Sequence, residues 1–271
     1  MYRPRISLTS LMIPLVIILL LFSSHSVSCK PGKKILVVFS GVDYISLKDG
    51  NLHKTGYFLS ELATPLKGLI SAGYEIEFAN PTGKEPVMDI SSDNPQFFKT
   101  REDYLDAKKL IRMEGMKNPK KLSSCNEVEL DEFFGIFLPG GHAPMEDLYK
   151  DRNLGRILIH FHNNHKPTAL ICHAPVALLS AVKGDKWIYN GYKLTAFSNE
   201  EEIQTEKSGA LGGKVNFYIS DALAKAGALV SHAQKPWQSH VVRDRELITA
   251  QNPMSDVKFT EVFLKALSEL K

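Results

Sequence analysis

The chain has 271 residues, a formal charge of +3 and an apolar fraction of 44%. This composition excludes wholesale disorder, and the near-neutral charge gives no reason to expect nucleic acid or an acidic membrane surface as partner. Three cysteines are too few for a disulfide framework.

Arg3 and Arg5 precede an unbroken apolar run from Leu11 to Phe22, and the small residues Ser26-Val27-Ser28 follow. A charged start, an apolar stretch and a small-residue cut site read as an export signal over residues 1–28. The run is shorter than the about 20 residues of a spanning helix and contains Pro14, so an uncleaved anchor is the second reading. The cut would leave Cys29 first, as in a lipoprotein, although Ser26-Val27-Ser28 lacks the usual leucine. Without lipidation, Cys29 and Cys125 become available to each other in an oxidising compartment. Without Arg3 and Arg5, residues 29–271 carry +1 and are long enough for one large α/β domain.

Lys33 to Ser40 is a continuous apolar run, as in a strand buried on both faces. The Leu62, Leu66, Leu69 and Ile70 spacing predicts a helix that stops at Gly73, and Pro65 sets or bends its start. Tyr74 to Ala79 alternates and reads as a second strand, completing a βαβ unit. Residues 80–131 form a long insertion with a charged helical piece from Arg101 to Met113, expected to act as a cap. Glu132 to Leu138 is the next strand, followed by the loop Pro139-Gly140-Gly141-His142. A helix over 153–164 leads to a strand over 167–171 and then to Cys172.

The apolar run ending at Cys172 is followed by His173-Ala174-Pro175 and an apolar stretch at helical spacing. This predicts strand, sharp turn and helix, with the cysteine presented as a nucleophile on the turn. The helix N-terminus beneath it is expected to lower the thiol pKa; a buried structural cysteine is the alternative. Tyr192 to Phe197 is strand-like. Ser198 or Asn199 then caps a helix with Glu200, Glu201 and Glu202 in its first turn. A helix over 215–226 stops at Gly227. Short strands follow at 228–230, 239–243 and 246–250, and an amphipathic helix over 256–270 closes the chain. Strands alternating with helices predict an α/β sandwich with a mainly parallel sheet.

Sites in such folds lie beyond the carboxyl ends of the strands. Cys172-His173, Gly140-Gly141 and residues 198–202 fall at such ends, and Glu61 lies near the same rim. His173 can serve as base, one of the three glutamates can hold its imidazole, and the glycines can offer N–H groups to an oxyanion. At least two of those glutamates are expected to be solvated. His160, His162 and His165 do not share one helix face, which argues against a metal site there. His142 and His240, after Trp237, are candidates for lining a pocket. No phosphate-loop motif is present.

The segments Thr55–Glu61, Leu138–His142, Ile171–Pro175, Phe197–Glu202 and Leu247–Pro253, in this order, make the chain resemble the ThiJ/PfpI family of the class I glutamine-amidotransferase-like superfamily. The resemblance covers residues 33–268, and it is nearest to the branch of heat-shock chaperones and glyoxalase III enzymes. It implies a flavodoxin-like fold, a common dimeric state and no metal or organic cofactor. It also implies Cys172, His173, Glu202 and Glu61 as catalytic residues, with Glu201 the alternative to Glu202, and Gly140, Gly141 and His142 on the oxyanion or substrate side. Ala174 replaces a glycine frequent in relatives and fits only at negative φ. The export signal is unusual for a mostly cytosolic branch. The implied activity is glutathione-independent conversion of methylglyoxal, a small 2-oxoaldehyde, to lactate through a cysteine hemithioacetal. Cysteine-dependent hydrolysis of peptides, amides or glycated adducts is the second reading. A holdase for unfolded proteins, or a redox and stress-response module, is the third.

Overall fold

The computed structural model describes residues 33–270; the expected export signal, with Cys29, lies outside them. β1 (Lys34–Val38) is buried along nearly its whole length, as its continuous apolar run requires. The helix α1 (Leu59–Ser71) follows. It begins earlier than Pro65 suggests and carries that proline inside it. Two features compensate for the lost hydrogen bond. The N–H of Leu59 donates to Ser92 Oγ at 2.9 Å, and Leu59, Leu62, Leu66 and Leu69 are all buried, each contributing roughly 1.5–3 kcal/mol.

After α1 come β2 (Glu75–Asn80), α2 (Arg101–Leu110), the two-residue β3 (Lys120–Lys121) and β4 (Phe133–Leu138). Next are α3 (Arg152–Asn163), β5 (Thr168–Ile171), α4 (Asn199–Lys207) and α5 (Ile219–Ala226). The described chain closes with β6 (Val241–Asp244), β7 (Leu247–Ala250) and α6 (Asp256–Ser268). These seven strands form one sheet in the order β6-β7-β5-β4-β1-β2-β3. Only β6 runs antiparallel to its neighbour; β7, β5, β4, β1, β2 and β3 pair in parallel. The expected βαβ order is therefore present, with helices around a mostly parallel sheet in the flavodoxin-like manner.

Two expected elements come out shorter. Of the strand-like 192–197 only Lys193–Leu194 pairs, with Leu229–Val230, in a separate two-stranded sheet. The helix expected from 215 starts at Ile219, and Gly227 ends it at φ 108°, a conformation that suits glycine. The insertion is built of short helical turns around α2, and β3 joins it to the sheet edge beside β2. Among the described residues, no helix is long and apolar enough to cross a membrane.

Candidate active site

β5 ends at Ile171, and Cys172 turns the chain with φ 63°. A left-handed conformation costs a non-glycine residue roughly 1–3 kcal/mol, so it persists only where the surroundings enforce it. Both backbone groups of Cys172 are tied down. Its N–H donates to Ala250 O at 2.8 Å, and its carbonyl accepts from Phe197 N at 2.8 Å. The end of β7 and the loop at Phe197 thereby clamp the turn. Ala174 is not among the residues at positive φ, so its methyl group meets no backbone penalty.

The segment after the turn differs from the expectation. Ala174–Ser180 is a 3-10 helix, too short and tightly wound to supply the α-helical dipole anticipated for the thiol. Cys172 is only 3% exposed. Burial, followed by the charge of Glu61, pushes its thiol well above the usual cysteine range, whereas the N–H of Gly141 faces the sulfur and opposes that rise.

Glu61 projects from the first turn of α1 and is fully buried. Neither carboxyl oxygen has a hydrogen-bond partner of good geometry, although the Cys172 thiol and the Gly140 backbone lie near enough to act on it. Burial pushes this carboxyl well above the usual carboxylate range. Glu61 and Cys172 therefore do not ionise together: while Glu61 is neutral, its repulsion of a thiolate vanishes and its O–H can donate to sulfur.

His173 lies on the other side of the sulfur, with Nδ1 3.2 Å from Cys172 Sγ. Its Nε2 is 2.7 Å from Glu202 Oε2. His142 joins the same carboxylate, Nε2 to Oε1 at 3.0 Å. The two imidazoles pack with centroids 3.9 Å apart, and Phe197 covers His173 at 4.3 Å. Burial and the neighbouring His142 lower His173 to about 4, against the pull of Glu202. At His142 burial also disfavours charge, but the Glu202 carboxylate outweighs it and raises the imidazole. Burial likewise opposes charge on Glu202, yet the two histidines hold it well below the usual range. The Glu202 carboxylate thus sits between two imidazoles, with charge favoured on His142 and disfavoured on His173. These three residues place one ligand atom each within 4.8 Å, but both carboxylate oxygens already accept hydrogen bonds.

Gly140 and Gly141 have separate tasks. A Cβ on Gly140 would meet the Glu61 carboxyl, and would lie 2.6 Å from both Cys172 Cβ and Ile171 O. Gly141 adopts φ 95°, and a Cβ there would strike Gly56 O. Gly140→Ala is therefore expected to destabilise the fold by about 1–3 kcal/mol through overpacking, read as a lower urea midpoint. An unchanged midpoint would show that the thiol and Glu61 are not held as closely as described.

The three adjacent glutamates have different fates. Glu200 is exposed, but Glu201 and Glu202 are both buried, so the expectation of at least two solvated acids is wrong. Glu201 completes a capping box with Ser198. Its Oε2 accepts from Ser198 N and Oγ at 3.0 and 2.9 Å. Its Oε1 accepts from Trp237 N and Asn252 Nδ2, both at 2.7 Å. Glu202, one residue on, faces the histidines. The Ser-x-x-Glu spacing is the capping-box signature and separates the two acids without coordinates.

Trp237, rather than His240, lines the cavity in front of the sulfur. His240 instead meets Ser231 Oγ at 3.1 Å. His162 pairs with Glu246 at 2.8 Å and His160 with Asp131 at 3.1 Å, so the histidines of α3 point to different partners. Cys125 is buried.

A flavodoxin-like sheet with a cysteine at a clamped turn, a histidine beside it and two buried carboxyls defines a class of cysteine-centred α/β proteins. Residues 52–266 match the DJ-1/PfpI family, and the chain belongs to that family. It is 26% identical over 237 residues to the protein/nucleic acid deglycase HchA of Staphylococcus aureus strain Newman, covering 85% of this chain and 79% of that protein. Among solved structures, it is similar to the Francisella tularensis rapid encystment protein (TM-score 0.73, 28% identity, 87% of this chain and 99% of the other). It is also similar to glyoxalase III of Candida albicans (TM-score 0.70, 26% identity, 86% and 97%). Enzymes are thus among its relatives.

Proposed function

We propose that the protein converts 2-oxoaldehydes to 2-hydroxy acids without glutathione, with Cys172 as nucleophile. The observation that carries this reading is the placement of one thiol between two proton-handling groups, neutral His173 and buried Glu61. His173 takes the thiol proton, and sulfur attacks the aldehyde carbon to give a hemithioacetal. The N–H of Gly141 faces the sulfur and supports the oxyanion that forms beside it. Glu61, as the carboxylate left when its proton passes to the substrate, removes the hydrogen from the former aldehyde carbon. An enediol forms, and reprotonation at the adjacent carbon leaves a thioester with a neighbouring hydroxyl. Water cleaves the thioester and restores the thiol. The net change is the addition of one water molecule, so no redox partner is consumed.

Glu202 keeps His173 oriented and favours charge on the neighbouring His142. When His142 carries that charge, it favours developing negative charge at the substrate carbonyls. The resemblance to a deglycase supports a second reading, in which the same thiol attacks the carbon that a 2-oxoaldehyde has joined to an amine. The test is incubation of the protein with methylglyoxal in the absence of glutathione, with separate measurement of aldehyde loss and lactate. Lactate formed in proportion to enzyme is the expected result. Aldehyde release from glycated amines without lactate from free methylglyoxal would replace this reading with the second.

A further inference from the structure

We propose that the site selects 2-oxoaldehydes bearing a bulky apolar substituent, an aryl group above all, over methylglyoxal. This inference rests on the proposed function and concerns the substrate's other end. The cavity in front of Cys172 measures about 360 Å³, within the ~300–1,000 Å³ of sites that enclose drug-sized ligands. A three-carbon aldehyde leaves most of that space to water. Polar groups gather at the sulfur end, where Gly141, His142 and His173 surround the thiol. The remaining walls are chiefly apolar.

Those walls come from six separated segments. Phe58 and Phe97 form one pair, edge to face at 4.8 Å. Phe197 and Trp237 form a second pair at 5.5 Å, and Leu211 and Pro253 also line the cavity. Flat walls of this kind match an aromatic guest through offset or edge contacts. No lysine or arginine lines the cavity among the described residues. Asp89, its acidic member, already accepts from Thr55 Oγ1 at 2.7 Å and Ser91 Oγ at 2.6 Å. Apart from the histidines His53, His142 and His173, the pocket offers no basic side chain to a phosphate or carboxylate on the substituent, whose desolvation would then be costly.

Trp237 is 40% exposed but tethered at both its backbone and its ring. It adopts φ 63°, its N–H donates to the buried Glu201 at 2.7 Å, and its ring Nε1 donates to Gln204 Oε1 at 2.7 Å. A preorganised wall costs little further ordering when the ligand arrives. Each additional buried methylene is worth roughly fourfold in affinity, so enlarging methyl to phenyl should gain at least about tenfold.

The experiment compares kcat/KM for phenylglyoxal, giving mandelate, with that for methylglyoxal, giving lactate, in the full chain and two variants. The native ratio is expected to be about ten or more. Trp237→Ala should lower it at least about fivefold by removing a wall. Ala210→Phe, at an exposed position on the cavity rim, should lower it by filling the space, and carries the test if the first variant folds poorly. A native ratio of one or less, or a ratio unchanged in both folded variants, overturns the inference and leaves the proposed function standing. If neither aldehyde is turned over, the proposed function fails, and the subsite is judged by tryptophan-fluorescence titration with mandelate and lactate. Tighter mandelate binding that weakens in Ala210→Phe supports the apolar subsite; equal binding overturns it.

Discussion

Cys172→Ala is expected to reduce lactate formation from methylglyoxal to the uncatalysed background, while the thermal midpoint shifts by no more than a few degrees. The chemical loss is total because every covalent step of the proposed route begins at that sulfur. Acid–base groups left around an empty position have no bound intermediate on which to act. The structural loss is small. The turn at residue 172 is enforced by backbone bonds to Ala250 and Phe197, which alanine retains. One deleted sulfur costs on the order of 1 kcal/mol, or about 2–4 °C in a domain of this size. Product chromatography alongside a circular-dichroism melt checks both halves. Lactate formation at more than a few per cent of the native rate would remove the sulfur from the mechanism.

Glu61→Gln is expected to cut turnover by about 10²–10⁴-fold and, at the same time, to stabilise the protein at neutral pH. Glutamine preserves shape but cannot carry a proton between carbons. The gain in stability follows from the raised carboxyl. Unfolded, Glu61 ionises near its ordinary value of about 4.3; folded, it keeps its proton to much higher pH. Over that interval the native state binds more protons than the unfolded one, so stability falls as pH rises. The slope approaches about 1.4 kcal/mol per pH unit for one such group. Glutamine has no titration and escapes the loss. The variant should match the native protein near pH 4 and become progressively more stable towards pH 8, as read from urea midpoints across that range. A variant less stable than native at pH 8 would show that the buried carboxyl is ionised and paired.

The alternation of strands and helices, the apolar run of β1 and the cysteine turn were legible because each is a local pattern. The interleaving of β4 between β1 and β5 was not legible, because crossover rules fix the hand of a connection and not the strand order. What escaped depends on contacts between distant segments. Trp237 and Glu201 are brought together across 36 positions, and Phe97 reaches the cavity from within the insertion. Periodicity says nothing about either. The thiol's environment was misjudged for a different reason. The residues after Cys172 have helical spacing, but they wind as a 3-10 turn inside the core, where burial outweighs any dipole. The solvated reading of the three glutamates failed because charge in a first helical turn usually faces water, whereas here two acids are drawn inward by histidines and by a cap.

The insertion also decides what kind of neighbour the sheet can accept on one side. β3 ends the sheet beyond β2 with only Lys120 and Lys121. Lys120 is bound by Glu77 at 2.6 Å, and Lys121 is exposed. Two residues of backbone flanked by ammonium groups make a poor template for an incoming strand. β3 pairs only with Ala79 and Asn80, so it covers one end of the border formed by β2, while Glu75 and Glu77 set acidic side chains along the rest. Charge along the strand and a short cover at its end both disfavour pairing with a strand from another copy, and the insertion that contributes Phe97 to the cavity supplies that cover.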